Sequence, residues 1–138
     1  MIYAATKKIE STFKASNIKC RINETQNTSA VEAGFTGENT QMTVRFISTD
    51  NDNDVAVRIF SFVKVPANKR SAVLDAINGL HRRFRYASFS VDDDGDVVVA
   101  YDFPLRTSDP GDIAVEMFVR LVKIADQSYP ELMKAIWS

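Results

Sequence analysis

The stretch VAVRIFSFVKVPANKRSAVLDAINGLHRRFRYASFSVDDDGDVVVAYDFPL, residues 55–105, decides the fold. Its first eleven positions read as one long strand. Val55, Val57, Ile59 and Val63 share one face, while Ala56, Phe60 and Phe62 lie on the other with Arg58 between them. A strand that is apolar on both faces is central in its sheet, or is covered by a second layer or a partner. Pro66 then opens a helix, where its missing N–H costs nothing. Val73, Ile77, Leu80 and Phe84 form the apolar stripe of that helix, widened by Leu74 and Ala76, and its cationic end complements the C-terminal dipole. Residues 86–91 and 96–103 read as two strands. Between them Asp94 and Gly95 form a hairpin apex, the glycine supplying the positive φ such turns need. Val97, Val99, Tyr101 and Phe103 share one face of the return strand.

Working outward, residues 2–16 form an amphipathic helix with Ile2, Ala5, Ile9 and Phe13 on its apolar side. Three period-two segments follow: Ile18, Cys20 and Ile22; Val31, Ala33 and Phe35, with Gly34 and Gly37 at its end; and Met42, Val44 and Phe46. Residues 25–29 and 50–54 are loops, rich in side chains that hydrogen-bond local backbone. Toward the C-terminus Asp109 caps a long helix that has Pro110 at its first position. Its stripe contains Ala114, Met117, Phe118, Leu121, Val122 and Ala125, and Pro130 restarts a short separate helix through Leu132, Met133, Ile136 and Trp137. Strand runs joined by short turns indicate an antiparallel sheet, and so few helices roof it once. The expected fold is an α+β two-layer sandwich, with helices packed mainly on one face, in one domain over residues 1–138.

Composition narrows the function. The chain has 138 residues, 45% hydrophobic and 25% charged, with net charge −1. Polyanion binders usually carry a basic surplus, so nucleic acid is not expected as a general partner. A lone cysteine, Cys20, excludes a disulfide scaffold and fits a reducing compartment. No window reaches the length of about 20 apolar residues that spans a bilayer, and no apolar leader is present, so a cytoplasmic protein without membrane attachment is expected.

From residue 65 onward the chain resembles the YbjN-type bacterial proteins, whose fold is related to type III secretion chaperones. The resemblance rests on the order and spacing of several pieces. They are Val65 and Pro66 opening a helix, Ile77 to Leu80 within it, Tyr86 to Val91 with the Asp-Gly turn, Asp96 to Val99 returning, Ala125 with Asp126, and Tyr129 to Leu132. Where the family often has a second asparagine in that helix, this chain has His81. The resemblance implies a non-enzymatic, dimer-forming domain that binds a polypeptide or regulates, and it brings no catalytic residues.

Reactive constellations are weak. His81 is the sole histidine, and nothing local pairs it with Cys20 or a serine as a nucleophilic device. One histidine and one cysteine are too few for a zinc site. The series Asp50, Asp52, Asp54 begins like a calcium loop, but Val55 stands where the glycine belongs, and Asp92, Asp94, Asp96 has its glycine early. Both read as solvated turns. No catalytic residue, metal or cofactor is expected.

Grip remains. Phe60, Phe62, Arg58 and Val98 are the expected contacts for a protein or peptide client, held by a homodimer through apolar surface or an added edge strand. The alternative arrangement has the N-terminal helix or a loop covering that face. Arg82, Arg83 and Arg85 form a possible basic patch, read otherwise as a solvated helix end, through which a regulator would contact nucleic acid. A small-ligand protein or enzyme would instead need Tyr101, Asp102 or His81 gathered in a deep polar cleft.

Overall fold

Alternation at period two becomes a single antiparallel sheet of six strands: β1 (Arg21–Glu24), β2 (Ser29–Thr36), β3 (Gln41–Ser48), β4 (Asp54–Lys64), β5 (Ser88–Val91) and β6 (Asp96–Pro104). The structure is a computed structural model that describes residues 1–49, 53–106 and 109–138. The strands lie in the order β1-β2-β3-β4-β6-β5, so the doubly apolar β4 is central, between β3 and β6. Three helices accompany them: α1 (Ala4–Ala15), α2 (Arg70–Arg83, entered through a 3-10 turn at Ala67–Lys69) and α3 (Pro110–Trp137). The α+β architecture expected from the sequence is present.

All three helices pack on the same face of the sheet. Ile9 and Phe13 of α1, Val73, Ile77 and Leu80 of α2, and Met117, Leu121 and Leu132 of α3 join Val31, Val44, Phe46, Val57, Ile59, Val97 and Val99 in one buried cluster. Phe13 stands edge-on to Phe46, ring centroids 5.2 Å apart, and touches Phe118 at 5.8 Å. Burying side chains of this size contributes about 2–3 kcal/mol each, and such contacts hold the two layers together. Leu74, expected to widen the α2 stripe, points out to solvent instead.

Helix entry and sheet are pinned by polar contacts. The fully buried Thr6 hydroxyl meets the Ser29 hydroxyl at 2.8 Å, joining α1 to β2. The side chain of Asp109 accepts from the backbone N–H groups of Gly111 and Asp112, as an N-cap should. The Asp112 N–H is the main cause that holds the Asp109 carboxyl below its usual range, aided by Lys8 against a desolvation cost. At the β5–β6 hairpin Gly95 has φ +81°, and Asp92 Oδ1 accepts from Asp94 N–H and Asp96 N–H.

Two further expectations are corrected. The first concerns Pro130, which does not restart a helix: α3 runs unbroken through it. An internal proline cannot donate to the carbonyl four residues earlier, which here belongs to Asp126. That carbonyl instead accepts from Asn39 Nδ2 at 3.0 Å. The Asp126 carboxylate returns the favour, accepting from the backbone N–H groups of Glu38, Asn39 and Thr40, each at 3.0 Å. The β2–β3 turn and α3 thus complete each other's backbone hydrogen bonding. Gly37 gives the carboxylate its room, because a Cβ there would lie 2.3 Å from Asp126 Oδ1.

The second concerns Phe62, which does not share a face with Phe60. Between Ile59, paired with Val99, and Val63, paired with Val97, β4 carries two residues more than β6. Ser61 takes the extra length in a left-handed conformation, φ 51°. Such a bulge re-aims side chains. Phe60 stays on the unroofed face at 43% exposure, while Phe62 turns to α3 and meets Tyr129, ring centroids 5.8 Å apart.

Candidate functional site: the open sheet face

Because the helices share one side, the other side of the sheet is without a roof among the described residues. Its positions follow from register. Glu32 pairs with Arg45, Arg45 with Arg58, and Arg58 with Ala100; Ala30, Ile47, Ala56 and Asp102 form the next row, and Gly34 pairs with Thr43. Alternation places these side chains opposite the buried Val31, Val44, Val57 and Val99.

Two arginines therefore face each other across β3 and β4, an arrangement that repels unless each finds an anion. Each does. Arg58 Nη1 donates to Asp102 at 2.5 Å and to the Val57 carbonyl at 2.9 Å. Arg45 Nε lies 2.8 Å from Glu32 Oε2, while Arg21 Nε donates to Glu32 Oε1 at 2.7 Å and Asn23 Nδ2 reaches Oε2 at 3.3 Å. Glu32 is 4% exposed. Burial alone would raise its pKa, but the hydrogen bonds from Arg21 and Asn23 and the charges of Arg45 and Arg21 outweigh that, holding the carboxyl below its ordinary range. The Arg45 guanidinium also lies over the Phe60 ring, 5.7 Å from its centroid, within cation–π range. Beside this pair is a depression of about 580 Å³ lined by residues that include Gly34, Thr43, Arg45, Phe60 and Ser61.

Of the contacts expected from sequence, Arg58 and Phe60 stand on this face. Val98 also projects to it but is only 8% exposed, so it supports the surface more than it presents one. Phe62 belongs to the helix side, beside Tyr129. Glu32, Arg45 and Gly34 were not singled out by the sequence pattern. Their only trace there is a polar or small residue at every second position of two short strands.

Other residues are scattered. Arg83 reaches Glu131 on α3 at 2.6 Å and covers the Phe84 ring, while Arg82 and Arg85 are exposed and have no bonded partner among the described residues, so the three arginines do not share one anion site there. His81 Nε2 accepts the backbone N–H of Phe89 at 2.8 Å, closing part of the β5 edge. Tyr101 lies in the helix layer against Tyr86, whereas Asp102 is tied to Arg58 on the open face. Among the described residues His81, Tyr101 and Asp102 thus stand at the β5 edge, on the helix side and on the open face, and do not gather in one place. Burial, with Glu10 nearby, pushes the Cys20 thiol up, which disfavours a nucleophilic thiolate. Asp92 spends its side chain on its own turn, and Asp50 and Asp52 lie outside the described residues. Among the described residues no three His, Cys, Asp or Glu side chains gather in a way that would hold a metal ion. No helix there is long and apolar enough to cross a membrane.

Comparison with known proteins gives one positive result. The YbjN family model, described as "Putative bacterial sensory transduction regulator", matches residues 6–133. Neither the curated proteins nor the solved structures yield a match. The matched range spans all six strands and most of the three helices. The chain belongs to the YbjN family.

Proposed function

We propose that this protein regulates by binding: it holds a polypeptide partner on the open face of its sheet and performs no chemistry of its own. One observation carries the reading. Three helices roof one face and leave the other with Phe60 at 43% exposure amid paired arginines and carboxylates. An exposed aromatic ring beside arginine is the composition typical of a binding hot spot. In this reading Phe60 and Arg58 touch the partner, Val98 backs them from below, and Phe62 contributes only by anchoring the bulge to α3. The regulatory description of the family supports the same reading. A homodimer, as the resemblance implies, and a cytoplasmic setting, in keeping with the lone cysteine, complete the proposal.

The test compares wild type with Phe60→Asp and Arg58→Glu in quantitative affinity capture from the native host. A specific protein retained by wild type and lost from both variants, with circular dichroism unchanged, is the expected outcome. Retention of every captured protein by a folded Phe60→Asp variant would overturn the reading. Light scattering on the purified chain checks the dimer directly: a monomer mass at all concentrations removes that part.

A further inference from the structure

We infer that the open face takes an acidic, extended stretch of polypeptide, lying in a trough that crosses β1 to β4 over Gly34. This deepens the function proposed above and rests on it. The depression of about 580 Å³ beside Phe60 and a second of about 340 Å³ beside Lys19 and Arg21 share two lining residues, Gly34 and Thr43. The two depressions adjoin at these residues, so together they run across the strands. Four neighbouring strands at about 4.8 Å spacing span roughly 14 Å, the length of about four extended residues.

The floor is open because Gly34 has no side chain. Nothing in the fold requires a glycine at this position. Its φ is not positive, and a Cβ would meet no atom nearer than the Met42 carbonyl oxygen at 3.9 Å. A larger residue would fit the strand and fill the trough.

Charge sets the occupant's chemistry. Lys19, Arg21 and Arg45 line the channel against one carboxylate, Glu32. Both oxygens of Glu32 are already engaged, by Arg21 on one side and by Arg45 and Asn23 on the other. Among the described residues Lys19 has no ion-pair partner, and Arg45 meets Glu32 through Nε, leaving its terminal nitrogens for an incoming anion. This local surplus of positive charge stands on a chain whose net charge is −1, so it belongs to the trough and not to the surface at large. At the far end Phe60 offers a ring to an apolar or aromatic side chain. A single ring, one face of which Arg45 already covers, is a poor platform for successive bases, and this favours a peptide over single-stranded nucleic acid. Carboxylates two residues apart in an extended peptide point the same way, toward the row of cations.

The experiment uses the full chain and fluorescence anisotropy at low salt. Its probes are a labelled octapeptide with glutamate at its first, third and fifth positions, phenylalanine at its seventh and serine at the others, the same peptide with lysine for glutamate, and a labelled fifteen-residue oligothymidylate. The acidic peptide is expected to bind saturably and the lysine peptide not at all. Gly34→Val is expected to weaken binding about tenfold or more, with a thermal midpoint no lower than wild type, and Arg45→Glu to weaken it similarly. Absence of saturable binding, equal binding by a folded Gly34→Val variant, or tighter binding of oligothymidylate would each overturn the inference. A natural partner that is lost on Phe60→Asp but kept by Gly34→Val would overturn the trough alone and leave the binding function standing. Loss with neither variant would remove both.

Discussion

Glu32 is the residue on which the open face depends most. Its carboxylate is nearly sealed and serves Arg21, Arg45 and Asn23 together. Replacing it with glutamine removes charge-assisted hydrogen bonds and leaves Arg45 and Arg58 opposed, a change expected to cost about 2 kcal/mol at neutral pH. The folded-state pKa is lowered from an ordinary value of 4.5. Its contribution is therefore fully present above that value and is lost as pH falls through the lower folded value. Thermal midpoints of wild type and Glu32→Gln should be well separated at pH 7 and should converge as pH falls below 4.5 and through the lower folded value. A constant gap across that range would show that the ionised carboxylate is not the source. None of this was legible in the sequence. Period two placed Glu32 correctly on the face away from Val31 and Ala33, but cross-strand partners depend on register, and the local pattern does not encode register.

Two elements depart from ideal geometry, and particular residues accommodate each departure. The first is α3, which passes Pro130 because Asn39 takes the Asp126 carbonyl that the proline leaves unpaired. Asn39→Ala should cost about 1 kcal/mol, and it should speed hydrogen exchange in the turn of α3 preceding Pro130 more than elsewhere. Exchange quickened uniformly, or not at all, would mean that the helix does not need this bond. The second is the bulge of β4, held by Ser61 at φ 51°. A non-glycine residue in that region stores about 1 kcal/mol of strain, so Ser61→Gly should leave stability equal or higher by about that amount. A clear loss in thermal midpoint would instead assign a structural role to the hydroxyl, which lies 3.4 Å from Asp96 Oδ2. Element type and order were readable from periodicity, from Pro66 and Pro110 near helix starts, and from Gly95 in its turn. Continuity through Pro130 and the two-residue bulge were not, because each is decided by a partner distant in the chain. A strict alternation rule carries no allowance for inserted residues, and it therefore sent Phe62 to the wrong side.

At the scale of the whole molecule, the two layers make the protein asymmetric in a way that single substitutions can read. Phe60 and Phe62 are two residues apart, yet one projects from an unroofed sheet and the other packs into the seam between sheet and helices. A surface substitution away from special features usually changes stability by no more than about 0.5 kcal/mol, so Phe60→Asp should melt close to wild type. Phe62→Asp places a carboxylate against Tyr129 and the core and should cost about 2–3 kcal/mol. The pair of thermal melts thus asks whether the sheet is roofed once. If Phe60→Asp unfolds the protein and Phe62→Asp does not, the exposed and covered sides have been assigned in reverse. If both unfold it, something covers the second face and no surface is left for a partner. Only the predicted asymmetry leaves a folded protein with its binding face altered, the condition needed for Phe60→Asp to report on partner loss and not on collapse.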